Sequence, residues 1–150
     1  MNLILEINNL DSCNFSQKKL ELTVAETIKK AELTRILKRD VLVSIGFVSE
    51  SEIKKINKKY RNKNSPTDVL SFGDFNSKEE LLEQGKENIF LGELLVCPKD
   101  IEKYCQEKRI FFEKEFFKVI SHGILHLLGF NHGGKMFKIQ EEVANNVLKK

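Results

Sequence analysis

The segment from Ile110 to Phe130 constrains the fold more than any other stretch of the chain. Twelve of its 21 residues are apolar, and they occupy nearly all sides of a helix with 3.6 residues per turn. A helix of this kind has to lie inside a domain, where other elements cover its surface. The sequence therefore predicts a central buried helix with the rest of the chain arranged around it.

The other apolar segments predict the elements that cover this helix. Alternating or β-branched runs predict strands in NLILEI, VLVSIGFV, TDVLSF and LGELLVC, and apolar residues at helical spacing predict helices over 23–39, 50–61, 98–109 and 135–150. Residues 73–90 are polar and contain two glycines, which is typical of an exposed excursion. The expected fold class is α+β: one domain over residues 1–150, with a small mixed sheet of about four strands packed against about five helices.

Length and composition restrict the class of protein. A chain of 150 residues can bury a core of its own, and 41% hydrophobic with 31% charged residues excludes disordered and fibrous proteins. No window approaches the roughly 18 uninterrupted apolar residues of a membrane span, and the N-terminus lacks a basic leader. We therefore expect a cytoplasmic protein without a membrane partner. Three cysteines without a C-x-x-C pair predict reduced, structural thiols.

All three histidines of the chain lie between positions 122 and 132. His122 and His126 are four residues apart, so a helix places them one turn apart on one face. Gly129 is a helix-ending residue and lets the chain fold back, which would bring His132 to the same point. Three imidazoles leave the fourth tetrahedral position open, as in catalytic zinc sites. The sequence predicts one Zn²⁺ per chain, held by His122, His126 and His132.

Two other interpretations of these histidines remain open. A histidine on an apolar helix is often a core residue with one satisfied nitrogen, although three neighbouring imidazoles would each need a partner of their own. The spacing His-x-x-x-His-x-x-Gly-x-x-His is also that of the metzincin metalloproteases, which carry a glutamate general base directly after the first histidine. Here that position is Gly123, which cannot accept a proton.

A second candidate site is the basic segment at positions 54–63. Positive charge is concentrated there in Lys54, Lys55, Lys58, Lys59, Arg61 and Lys63, with Tyr60 among them. Lysines attract a polyanionic backbone, and an exposed tyrosine offers a stacking surface for a base. Arg61 is the most informative of these residues, because a guanidinium can grip a phosphate through two hydrogen bonds. The alternative is a solvated helix face with a surface ion pair at Arg61.

Two motifs resemble those of the YbeY endoribonuclease family, bacterial zinc-dependent factors of ribosomal RNA maturation. SHGILHLLGFNH resembles the family signature His-Gly-x-Leu-His-Leu-x-Gly-Tyr-Asp-His, and INKKYRNKNSPTDVLSF resembles its Leu-Asn-x-x-Tyr-Arg and Thr-Asp-Val-Leu-Ser-Phe. LGELLVCP stands where the family has a Gly-Asp-Ile strand. The resemblance implies that the three histidines are zinc ligands and that Arg61 is a functional arginine facing the metal cleft.

The chain departs from the family pattern at two positions. Phe130 replaces the usual tyrosine, which is a mild change, and Asn131 replaces the usual aspartate. An acid beside the third histidine could orient an imidazole or a water molecule and add negative charge, whereas Asn131 can only form hydrogen bonds. A mechanism that needs a proton acceptor at this position is therefore not expected in this chain.

The hypothesis from sequence is a single-strand-specific, zinc-dependent endoribonuclease that matures ribosomal RNA, at the small-subunit rRNA 3′ end, and serves ribosome quality control. Its expected substrate is single-stranded or ribosomal RNA, and its expected partner is the ribosome or a ribosomal protein. Arg61 would stabilise the transition state. Substrate contacts are expected from Lys59, Tyr60, Lys63 and Ser71, and an outer contact to the metal site from Asn131. The rivals are a metzincin-like metallopeptidase and a non-catalytic, zinc-stabilised ribosome-associated factor.

Overall fold

A four-stranded mixed sheet forms one layer of the molecule, and helices cover it. The computed structural model describes residues 2–150. The strands are β1 (Leu3–Asn8), β2 (Asp40–Phe47), β3 (Val69–Phe72) and β4 (Asn88–Val96). The helices are α1 (Gln17–Lys30), α2 (Glu50–Arg61), α3 (Lys78–Glu83), α4 (Pro98–Lys108), α5 (Phe112–Leu127) and α6 (Gly134–Leu148). The prediction of a mixed four-stranded sheet packed against helices is confirmed.

The strand order of the sheet is β1-β2-β4-β3. β2 pairs in parallel with both β1 and β4, whereas β3 runs antiparallel to β4 at one edge. Alternate residues of a strand share one face of the sheet. On β2 that face carries Val41, Val43, Ile45 and Phe47, which are all buried in the hydrophobic core.

Helix α5 is the predicted central helix, and it packs against the sheet and three other helices. It contacts β3 and β4 on one side and α1, α4 and α6 on the others. Gly123 permits the close approach to the sheet: a Cβ atom there would lie 2.8 Å from Leu94 Cδ2 and 3.2 Å from Val69 Cγ2. A glutamate at this position would therefore collide with the sheet. This lack of space is a second argument against a metzincin-type general base at position 123.

A buried hydrogen bond fixes the rotation of α5 against α1. The hydroxyl groups of Thr27 and Ser121 lie 2.8 Å apart, and both residues are fully buried. Thr27 also lies 2.7 Å from the carbonyl oxygen of Thr23. Because an unpaired hydroxyl in the core costs about 1–3 kcal/mol, these partners favour one orientation of the two helices. Ser121 precedes His122, so this orientation also sets the direction of the histidine face.

The prediction of one helix over residues 23–39 is wrong at both ends. α1 begins at Gln17 after the capping Ser16, whose side chain accepts a hydrogen bond from the Lys19 amide, and it ends at Lys30. Glu32 then adopts a left-handed conformation with φ 60°. A 3-10 turn at residues 34–38 follows. Leu33 and Ile36 still reach the core, so the apolar spacing continued past the real end of the helix.

The polar excursion at residues 73–90 contains a sixth helix, one more than the approximate number expected. Ser77 caps α3 by accepting a hydrogen bond from the Glu80 amide, and Leu81 in this helix is fully buried. Because the segment is polar overall, its sequence did not indicate a helix that packs on the core through this one buried leucine. Cys97 and Cys105 are buried, and all three cysteines are free thiols, as expected. Within residues 2–150, every helix is too short or too polar to cross a membrane.

Candidate metal centre

The C-terminal half of α5 places His122 and His126 side by side on one face. Their Nε2 atoms lie 3.2 Å apart, and the ring planes are nearly perpendicular, with centroids 4.7 Å apart. Both rings are partly buried between α5 and the segments that follow it. The four-residue spacing therefore produces the paired arrangement that the sequence predicts.

The turn after α5 brings the third histidine to this pair. Gly129 adopts φ 92°, and a Cβ atom there would lie 2.5 Å from the carbonyl carbon of Ser77. Only glycine accepts both this conformation and this contact. The chain reverses and places the ring centroid of His132 at 5.1 Å from that of His122 and 4.6 Å from that of His126. One ligand atom from each histidine lies within 4.8 Å of the other two.

The Nδ1 atoms of His122 and His126 each have a hydrogen-bond partner. Nδ1 of His122 lies 3.0 Å from Oε1 of Gln140, and Nδ1 of His126 lies 3.2 Å from the carbonyl oxygen of Phe130. Both partners are acceptors, so each Nδ1 carries the proton and donates it. The two Nε2 atoms are then left with lone pairs that point at each other across 3.2 Å. A shared cation satisfies both lone pairs, so the residues present fit a metal ion.

The electrostatics of the cluster keep His126 uncharged. Burial and the neighbouring His122 and His132 together lower its pKa to about 4. A neutral imidazole is the form that binds a metal. His126 can therefore bind an ion at neutral pH without first releasing a proton.

Arg61 is the last residue of α2, and it is exposed. Its positive charge makes the smallest of the contributions that change the His126 pKa, and it lowers that pKa. α2 stops there because Asn62 adopts a left-handed conformation with φ 57°. Asn57 then holds the following loop by donating from its Nδ2 to the carbonyl oxygen of Ser65 at 2.9 Å. The role of Arg61 beside the three histidines stays a prediction.

Comparison with known proteins agrees with this site and fold. A sequence model described as Endoribonuclease YbeY matches residues 6–148. The chain belongs to the endoribonuclease YbeY family. The match spans both the basic segment at positions 54–63 and the histidine segment. The family resemblance that the two motifs indicate is therefore confirmed.

Individual members of the YbeY family align over most of the chain. Endoribonuclease YbeY of Thermodesulfovibrio yellowstonii is 34% identical over 139 residues, which cover 87% of this chain and 83% of that protein. Endoribonuclease YbeY of Thermotoga maritima is 38% identical over 127 residues, 79% of this chain and 77% of that protein. The solution structure of TM1509 from Thermotoga maritima superposes with a TM-score of 0.62 at 30% identity, covering 97% of this chain and 90% of that one.

The other predicted site residues of the basic segment lie on the surface. Tyr60 is 61% exposed, and its ring meets the edge of Phe72 with centroids 5.4 Å apart. The Lys59 ammonium lies 5.2 Å from the centre of the Tyr60 ring, and Lys63 is exposed on the loop. These positions leave the three side chains accessible to a ligand, and their contact with substrate stays a prediction.

Ser71 and Asn131 differ in what surrounds them. The Ser71 hydroxyl donates to the carbonyl oxygen of Gly123 at 3.2 Å, which ties β3 to α5 next to His122. This contact supports a structural role for Ser71, and a contact with substrate stays a prediction. Asn131 is exposed on the turn between Phe130 and His132, and its outer contact to the metal site likewise stays a prediction.

Sequence reasoning missed the two acceptors that orient the histidines. The backbone carbonyl of Phe130 leaves no trace in a residue pattern. Gln140 does leave one, because it interrupts the apolar stripe of α6 between Ile139 and Val143 and is itself buried. A buried polar residue on an apolar helix face needs a partner, and the partner here is a histidine.

Proposed function

We propose that this chain is a zinc-dependent endoribonuclease that cleaves single-stranded RNA during ribosomal RNA maturation. In this proposal residues 1–150 act as one domain, and His122, His126 and His132 hold one Zn²⁺ ion. The observation that carries the proposal is the pair of Nε2 lone pairs facing each other at 3.2 Å, each fixed by an acceptor on the far side of its ring. The family relatives named Endoribonuclease YbeY support the reaction.

Zinc is the metal that best suits this donor set. Three imidazoles with an open fourth position are the arrangement of catalytic zinc, whereas calcium and magnesium prefer oxygen ligands. When bound, the ion supplies a Lewis acid that polarises a phosphoryl oxygen and favours hydroxide formation near neutral pH. Gln140 and the Phe130 carbonyl keep the rings of His122 and His126 turned toward the ion.

Arg61 supplies the second part of the chemistry. A phosphodiester gains negative charge on its oxygens as it is attacked, and a guanidinium placed beside it stabilises that charge. The two parallel N–H donors of Arg61 can hold two of these oxygens together. The charge of Arg61 contributes to the lowered pKa of His126, which supports a role for Arg61 at a phosphate bound to the histidines.

The exposed end of α2 supports RNA as the substrate. Lys59 and Lys63 attract the phosphate backbone, and Tyr60 offers a face on which an unpaired base can stack. Stacking of this kind requires bases that are free of a duplex, so the proposed substrate is single-stranded. A role in ribosome quality control, a ribosomal partner and a cytoplasmic location complete the proposal.

The test compares purified, zinc-loaded protein on a single-stranded ribosomal RNA fragment and on the same fragment annealed to its complement. We expect internal cleavage of the single strand, little cleavage of the duplex, and loss of both activity and zinc in His126→Ala. Full zinc occupancy together with full cleavage in His126→Ala would show that the histidines are not the site. Cleavage of casein but not of RNA would contradict the nuclease function and support a metallopeptidase.

A further inference from the structure

A cavity of about 270 Å³ opens beside His122, between α4, α5 and α6. This volume is well above the space that one water molecule needs, and it suits one planar ring rather than a length of polymer. His122 forms part of its wall, and so does Gln140, which orients His122. A group bound here would therefore lie next to the metal centre.

Two aromatic side chains at this cavity remain exposed. Tyr104 on α4 is 46% exposed, and Phe137 on α6 is 53% exposed. Both line the cavity. Aromatic rings that border a cavity and keep much of their surface in water offer faces for stacking, and RNA-binding sites use such rings to hold unpaired bases.

The polar part of the cavity wall is rich in acceptors. The carboxylates of Asp68 and Glu115 line it, together with the Lys118 ammonium. Burial raises the pKa of Glu115, the Lys118 ammonium opposes that rise, and the negative charge of Asp68 adds to it. Lys118 lies 3.9 Å from Glu115 but 3.1 Å from Glu141, so Glu115 is incompletely neutralised. Two carboxylates disfavour a phosphate group here, since the one ammonium in the wall is already paired with Glu141, and they favour a neutral ligand with N–H donors.

We propose that this cavity binds the base of the nucleotide adjacent to the cleaved phosphate, with a preference for guanine. Guanine presents its N1–H and its N2 amino group side by side, which matches the two oxygens of one carboxylate. Uracil presents one N–H between two carbonyl oxygens, and a carboxylate repels both of these oxygens. Gln140 adds a donor, because its Oε1 accepts from His122 and its amide nitrogen remains available for the guanine carbonyl. The inference rests on the proposed function, since it names the base beside the reacting phosphate.

The first test measures cleavage of fluorescent oligouridylates that contain a single guanosine or none. We expect the zinc-loaded protein to cut mainly beside the guanosine. Phe137→Ala should raise KM about tenfold with a smaller effect on kcat, because the variant loses one of the two rings on which the base can stack. Glu115→Gln should reduce the preference for guanosine over uridine.

Two matched controls keep the test specific to the cavity. Phe111→Ala removes an aromatic ring that is 88% exposed at the opposite end of α5, and Glu113→Gln neutralises an exposed carboxylate on the same helix. Both should behave as wild type. If Phe137→Ala and Glu115→Gln match these controls while RNA is still cleaved, the base subsite is refuted and the proposed function stands.

A binding measurement separates the subsite from the nuclease activity. Saturation-transfer NMR on metal-free protein compares guanosine with uridine, neither of which carries a phosphate. We expect signal transfer to guanosine, weaker transfer to uridine, and loss of the guanosine signal in Phe137→Ala but not in Phe111→Ala. Absence of RNA cleavage would overturn the proposed nuclease activity. Equal saturation transfer to guanosine and uridine would overturn the proposed guanine subsite.

Discussion

His122 Nδ1 lies 3.0 Å from the side-chain oxygen of Gln140, 18 residues away on the next helix. This contact turns the Nε2 atom of His122 toward His126. Acceptors on metal-binding histidines fix the tautomer and the ring orientation, and their loss lowers metal affinity by about 10–100-fold. Gln140 is therefore a positioning residue for the proposed zinc site.

Gln140→Met tests this role, since methionine keeps the length of the side chain and removes the acceptor. We expect zinc affinity, measured by competition with a chelator of known affinity, to fall about tenfold or more. Gln140→Glu retains an acceptor and should bind zinc close to the wild-type level. Gln106→Met, at an exposed position of α4, serves as the control. Equal zinc affinity in Gln140→Met and Gln106→Met would remove Gln140 from the site.

Gly129→Ala tests the turn that delivers His132. Alanine at φ 92° is strained, and its Cβ would lie 2.5 Å from the backbone of Ser77. We expect the free energy of unfolding to fall by about 1–3 kcal/mol and zinc affinity to fall with it. Gly133→Ala in the same turn, where a Cβ meets nothing within 4 Å, should change stability much less. Equal unfolding midpoints in urea for the two variants would contradict this account.

Arg61→Ala separates phosphate binding from metal binding. We expect RNA cleavage to fall at least tenfold, which corresponds to about 1.4 kcal/mol of barrier, while the zinc content stays at the wild-type level. Arg61→Lys should recover only part of the rate, since an ammonium cannot form the paired hydrogen bonds. Arg35→Ala, at an exposed position on the 3-10 turn at residues 34–38, is the control. An unchanged cleavage rate in Arg61→Ala would exclude the arginine from the mechanism.

The stability of the metal-free protein should depend on the protonation of His126. Its pKa is about 4 in the folded chain, against a reference value of 6.5. Between these values the unfolded chain binds a proton that the folded chain does not, so the free energy of unfolding falls as the pH decreases from 6.5 to 4.

Urea unfolding at several pH values measures this dependence. In His126→Asn, whose amide can still donate to the Phe130 carbonyl, the decrease over that range should be shallower than in wild type. Parallel decreases in the two proteins would show that His126 does not cause the effect.

Local patterns in the sequence predicted the parts of the structure that are decided locally. The apolar surface of α5 predicted its burial, and the spacing of His122 and His126 predicted their pairing, because both follow from helix geometry. The end of α1 was missed because Leu33 and Ile36 pack into the core from a 3-10 turn that continues the apolar spacing. Helix α3 was missed because a single buried residue, Leu81, anchors it.

The contacts that complete the site are decided by packing between distant segments. Gln140 meets His122 only because α6 packs along α5, and the Phe130 carbonyl meets His126 only because the chain reverses at Gly129. The cavity at His122 likewise needs three helices and the loop at Asp68. Periodicity within one segment carries no information about which residues of another segment will face it.

The metal content of the protein tests the central claim most directly. The measurement is elemental mass spectrometry on protein purified without a histidine tag, with His126→Ala prepared in parallel. The account predicts close to one zinc per chain in wild type and close to none in the variant. Wild-type protein that contains no metal and takes up none when zinc is added would contradict it, and would leave the three histidines as packing residues.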